Sequence, residues 1–136
     1  MADPRRIKVS SRQREELVEC TDAVRAAVKT SGVSNGLIYL WSLHTTCALT
    51  VNEGADPDVA RDIISVMRAL VPRAAEYRHA EGNSDSHVKT SLFGPGLTLL
   101  IENYDLVLGT WQHVFLAEWD GPRRRQIAYA IVATAG

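Results

Sequence analysis

With 136 residues and a formal net charge of −1, the chain fits one domain, residues 1–136, and offers no whole-molecule field to draw nucleic acid or an acidic membrane. Its apolar fraction of 46% is ordinary for a water-soluble protein, and a compact domain of this size buries roughly two thirds of the surface that its unfolded chain exposes. The opening MADPRRIKVSSRQREELV has no uninterrupted apolar segment before a cleavage-type site, and the apolar stretch near 127–135 is too short to cross a bilayer, so a cytoplasmic protein with no membrane or nucleic-acid partner is expected.

In chain order, residues 5–10 read as an opening strand and 16–19 as a short second one. Thr21 or Asp22 then caps a helix in which Ala23, Val24, Ala27 and Val28 recur at helical spacing, and Ser31-Gly32 ends it. Residues 36–52 read with period two, as one strand or two successive strands in one register. Leu37, Tyr39, Trp41, Leu43, Thr45, Cys47, Leu49 and Val51 share one parity and are expected to face the core. The other parity turns polar at Ser42 and carries His44, Thr46, Thr50 and Asn52.

Asp56-Pro57 is a strong helix start, followed by an apolar stripe of Val59, Ile63, Val66, Met67 and Leu70 that predicts a buried amphipathic helix ending before Pro72. A short helix over 84–93 opens at Asn83 or Ser84 and closes at Gly94-Pro95-Gly96. Strands at 97–102 and 107–108 flank a turn at 103–105. Two more, 111–120 and 126–134, are separated by Gly121-Pro122 and an arginine run. Two main helices, a short third and six or more mixed or antiparallel strands make an α+β fold. Cys20 and Cys47 lack any Cys-x-x-Cys spacing and read as small, partly buried side chains.

Histidines are the main chemical signal. His44 shares a row with Thr46, Thr50 and Asn52, and polar groups at that density need mutual partners, water or a ligand. His113 shares its parity with Trp111, Phe115 and Trp119 and reads as packing. HAEGNSDSHVK sets His79 and His87 around a turn that opens a helix. The first amides of that helix, at Ser84, form an anion site with Lys89 as countercharge, unless Asn83 or Ser84 is simply a cap among solvated neighbours. His79-x-Glu81 lacks the Pro-Cys-x-x-Cys partner of zinc deaminases. Among the carboxylates, Asp56 is committed to capping, and Glu53, just beyond the polar row, is the preferred acid/base candidate. Arg123, Arg124 and Arg125 form either a phosphate clamp or an exposed turn.

Taken in order, HTTCALTVNEGADPDVARD, HAEGNSDSHVKTSLFGPGL and LGTWQHVFLAEWDGPRRR closely resemble the YjbQ family, sometimes labelled secondary thiamine-phosphate synthase. The resemblance covers nearly the whole chain. It implies a homotrimer of α+β subunits whose motif histidines, here His44, His79 and His87, bind a divalent metal, zinc in the first instance with magnesium as the other choice. Glu53, Asn83, Ser84, Glu118, Arg123 and Arg125 also match motif positions, whereas Arg124 does not, and His113 falls where the family more often carries another residue.

The associated activity is weak thiamine-phosphate synthesis, in which a pyrimidine pyrophosphate is joined to a thiazole phosphate with loss of pyrophosphate. Dedicated enzymes for it resemble TIM barrels, which need ~250 residues. Two functions therefore compete: a metal-dependent enzyme acting on a phosphorylated small molecule, and a non-catalytic trimer that binds a metal or phosphometabolite. A third reading has the histidines cementing subunit interfaces.

Overall fold

The computed structural model describes residues 5–135; residues 1–4, part of the opening segment read above for a leader, lie outside that range. The chain runs β1 (Arg6–Ser10), β2 (Glu16–Glu19), α1 (Thr21–Ser31), β3 (Gly36–Ser42), β4 (Cys47–Glu53), α2 (Pro57–Leu70), α3 (Ser84–Phe93), β5 (Gly96–Glu102), β6 (Asp105–Leu106), β7 (Gln112–Glu118) and β8 (Arg124–Ala133). Two antiparallel sheets result, a five-stranded one in the order β1-β8-β3-β5-β6 and a three-stranded one in the order β2-β7-β4. No helix among the described residues is long and apolar enough to cross a membrane.

The main core lies between the sheets. Ile7, Val9, Ile38, Leu40, Ile101 and Ile127 meet Cys47, Leu49, Val114 and Leu116, with Val24, Ala27 and Val28 of α1 packed into the same cluster. A second cluster covers the opposite face of the smaller sheet, where Ala48, Ala117 and Trp119 receive Met67 and Val71 with Ile63, Ile64 and Phe93. β7 is covered on both faces, and so Val114 to Glu118 form an unbroken buried run rather than an alternating one.

The single register expected across residues 36–52 does not hold. In β3 the even positions Ile38, Leu40 and Ser42 are buried, while Tyr39 and Trp41 face outward; in β4 the odd positions Cys47 and Leu49 point into the core. The four residues between the strands carry the chain from one sheet to the other, and the parity that faces the core changes across them. The outer face of the larger sheet is therefore apolar: Tyr39, Trp41, Leu100 and Val132 are 45%, 55%, 54% and 50% exposed.

Other departures are local. Cys20, not Thr21 or Asp22, occupies the cap position of α1, and its side chain makes no capping bond; the Thr21 hydroxyl accepts from Val114 N–H and donates to Glu19. Gly32 ends the helix at φ 71°, a left-handed conformation that glycine adopts without Cβ strain. Asp56 caps α2 through Asp58 N–H as read, yet the stripe is half open, with Val66 and Leu70 at 61% and 67% exposure and Met67 buried. The short strand after β5 starts earlier than expected, since Asn103 and Tyr104 alone make the turn, both at positive φ.

Candidate functional site

Three segments converge at one end of the sandwich: residues 43–46 between the sheets, the start of α3 and the β7–β8 turn. His44 sits in the first, outside any strand. The Gln126 backbone N–H donates to His44 Nε2 at 2.9 Å, the Gln126 carbonyl accepts from Leu43 N–H at 3.3 Å, and His44 N–H donates to Ser42 Oγ at 3.3 Å. Partial burial, with the nearby Arg125 and Arg123 guanidiniums, lowers the His44 pKa below the ordinary imidazole value against an opposing pull from Glu118.

Beneath it lies a buried ion pair. Arg125 donates through Nε to Glu118 Oε1 at 2.9 Å and through Nη2 to Oε2, and Nη2 also reaches Thr46 Oγ1 at 2.8 Å. Glu118, fully buried, accepts further from Ser11 Oγ and from Asp120 N–H at 3.0 Å. Burial alone would raise its pKa, but these donors, led by Arg125, hold it below the ordinary carboxylate value. Arg123 repeats the pattern at the surface: Nε donates to the Asp120 carbonyl at 2.8 Å and Nη2 to Asp120 Oδ2 at 3.1 Å. In both arginines Nη1 is the nitrogen without a hydrogen bond to the described residues.

Asp120 also reaches His79 through Asn83. Asn83 donates through Nδ2 to Asp120 Oδ2 at 2.9 Å, so its Oδ1, 3.1 Å from His79 Nε2, accepts from an Nε2–H. The His79 and His87 rings meet edge to face with centroids 5.4 Å apart, and His79 Nε2 lies 3.7 Å from Glu81 Oε2. The His87 ring nitrogens have no hydrogen-bond partner among the described residues.

A hollow of about 370 Å³ is walled by His44, His87, Asn83, Asp120, Arg123 and Arg125. On the other side of the same two histidines a more apolar hollow of about 540 Å³ is walled by Trp41, Leu43, Thr90 and Pro95. Both fall in the size range of small-molecule sites. Of the three histidines implied as metal ligands, His44 and His87 line the first hollow and His79 does not; His44 Nε2 and His79 Nε2 are hydrogen-bonded as described. Among the described residues no three His, Cys, Asp or Glu side chains are arranged to hold an ion.

Other expected residues are placed elsewhere. Lys89 is fully buried, with Nζ 2.7 Å from Glu15 Oε2 and 2.8 Å from Asp85 Oδ2, so it is no surface countercharge for an anion. Ser84 opens α3 as read but does not line either hollow. Glu118 positions Arg125 and has no exposed surface. Glu53 ends β4, six strand residues or ~20 Å from Cys47 at the site end, and its Oε2 caps the Ala55 and Asp56 amides. Of the polar row expected beside His44, only Thr46 joins it, because Thr50 and Asn52 lie along β4.

His113 is structural as read: it stacks on Phe115 at 6.4 Å and hydrogen-bonds Glu19 through Nδ1. A Cβ on Gly54 would fall 2.0 Å from its ring, which explains the glycine there. The one signal of Asp120's organising role in the sequence is the Asp120-x-x-Arg123 spacing across a tight turn.

The family model described as UPF0047 protein YjbQ-like matches residues 5–134. The chain belongs to the YjbQ family. A UPF0047 protein of Methanocaldococcus jannaschii is 42% identical over 125 residues, covering 92% of this chain and 91% of the relative, and Bacillus subtilis YugU is 37% identical over 120 residues, covering 88% and 91%. Among solved YjbQ-family folds, a conserved protein of Clostridium acetobutylicum superposes with a TM-score of 0.91 at 40% identity, covering 93% of this chain and 98% of its own. A conserved hypothetical protein of Thermus thermophilus gives a TM-score of 0.88 at 46% identity, with the same coverage.

Proposed function

We propose that this YjbQ-family chain is an enzyme acting on a phosphorylated small molecule bound between His44, His87, Arg123 and Arg125. The observation that supports it is the pair of tethered arginines on one wall. Each commits its Nε and Nη2 side to a carboxylate or carbonyl and leaves Nη1 for a ligand, a geometry suited to oxyanions. Glu118 and Asp120 offset the two cationic charges, so the wall acts as a set of fixed donors rather than as a strong field.

Acid/base work falls to His87, whose ring nitrogens are uncommitted and which borders both hollows, in place of the distant Glu53. Thiamine-phosphate synthesis is one reaction whose pyrophosphate leaving group this wall would hold. The donor arrangement does not form a three-histidine metal cage, and no step is routed through an ion. A second reading is a binding module that holds the phosphometabolite without turning it over, since among the described residues no carboxylate free of a hydrogen-bond partner lines the hollow beside His87 except Glu81.

Calorimetric titration with inorganic phosphate and pyrophosphate tests the binding. Arg123→Ala removes a half-exposed side chain and a charge-assisted bond, so affinity falls by about 10- to 100-fold while the melting temperature stays near that of the wild type. No saturable binding of either anion to the wild type overturns the reading. Binding to the intact chain with no thiamine-phosphate formation, and no turnover of any phosphorylated compound, supports the module instead.

We also propose that the chain forms the homotrimer that the family resemblance implies, and that the apolar outer face of the five-stranded sheet is its association surface. Trp41→Glu then converts a trimer to monomers in light scattering, and a monomeric wild type at micromolar concentration overturns the proposal.

A further inference from the structure

The hydrogen bond between Gln126 and His44 has a consequence for the chemistry of the imidazole. A peptide N–H donates and never accepts, so the nitrogen facing it at 2.9 Å presents a lone pair. Together with the bond from Leu43 N–H to the Gln126 carbonyl, it extends the β3–β8 ladder by one rung, with the imidazole standing where the next strand carbonyl would. Turning the ring over would set a C–H against the amide and lose that hydrogen bond. A neutral imidazole carries one proton, and with Nε2 accepting, that proton is on Nδ1. Nδ1 has no partner among the described residues, and His44 lines both hollows.

We infer that His44 is a neutral Nδ1–H donor, held in that tautomer by the Gln126 amide, that hydrogen-bonds the bound oxyanion and does not ligate a metal. The donor half rests on the phosphate reading above; the tautomer half stands without it. The role differs from that of Arg125 or Arg123: the donor carries no charge, and protonating Nε2 would oppose two donors.

Long-range ¹H–¹⁵N correlation of the ring nitrogens at pH 7 reads the tautomer directly, on the wild-type chain without ligand. Nδ1 is expected to be protonated and Nε2 unprotonated, and inorganic phosphate should shift the Nδ1 resonance. Titration with Zn²⁺ should leave both nitrogens of His44 unchanged. An Nε2–H tautomer, or a Zn²⁺-induced shift of His44 Nδ1 to a metal-bound value, overturns the inference whatever phosphate does.

His44→Asn places an amide donor near the Nδ1 position and should keep phosphate affinity within about threefold, whereas His44→Ala loses about tenfold. Equal losses in the two variants overturn the donor role. Failure of the wild type to bind phosphate overturns the functional reading and the donor role with it, and leaves the tautomer result to be judged on its own spectrum.

Discussion

Glu118→Gln is expected to destabilise the folded chain by about 3–5 kcal/mol, read as a lower urea midpoint with little change in slope. The carboxylate is fully buried and accepts from Arg125, Ser11 and the Asp120 amide. The amide that replaces it keeps one acceptor, turns a donor toward Arg125, and leaves a guanidinium at 4% exposure without its counter-charge. The double variant Glu118→Leu/Arg125→Met should recover much of that loss, because removing both charges also removes their desolvation. It should nevertheless lose phosphate binding, since Arg125 forms part of the wall. A Glu118→Gln chain as stable as the wild type would mean that the pair is not closed to water as described.

The second large effect belongs to the network under α3. Lys89→Met should cost about 3 kcal/mol or more, since it leaves Glu15 and Asp85 facing one another with only Arg68 and Arg14 to balance them. These side chains tie the β1–β2 connection to both α2 and α3, so the variant should also loosen the start of α3, where Asn83 and His87 sit.

The same carboxylate predicts acid sensitivity. Burial alone would raise the pKa of Asp85, but bonds from Arg14 and Lys89 hold it below the ordinary aspartate value. In that window the unfolded chain binds more protons than the folded one, so stability is present above the unfolded pKa and falls as pH drops through the folded one. Urea midpoints measured from pH 7 to pH 3 should show a shallower acid loss in Asp85→Asn, and parallel curves would remove Asp85 from the account.

Much of the architecture was legible locally. Residues 16–19 and 84–93, the Asp56-Pro57 start, the Gly32 stop and the α+β class all rest on spacing and caps, which act within a few residues along the chain. The gathering of His44, His87, Asn83, Arg123 and Arg125 was legible only through the resemblance of the three motifs to a family, because those residues lie on segments far apart in the chain.

Period-two patterning shows that a strand has two faces, but the face turned inward depends on which sheet it joins. The residues between β3 and β4 switch sheets, and the aromatic row of Tyr39 and Trp41 therefore became surface. Charge type shows that Lys89 and Glu53 have chemistry to offer; where they offer it depends on packing, which put one beneath Trp119 and the other at the far end of β4. The sequence by itself determined most of the elements and the inventory of imidazoles, guanidiniums and carboxylates. Only the tertiary structure decided which of these share a pocket and which nitrogen of His44 carries the proton. Both depend on contacts between residues tens of positions apart, for which local spacing carries no signal.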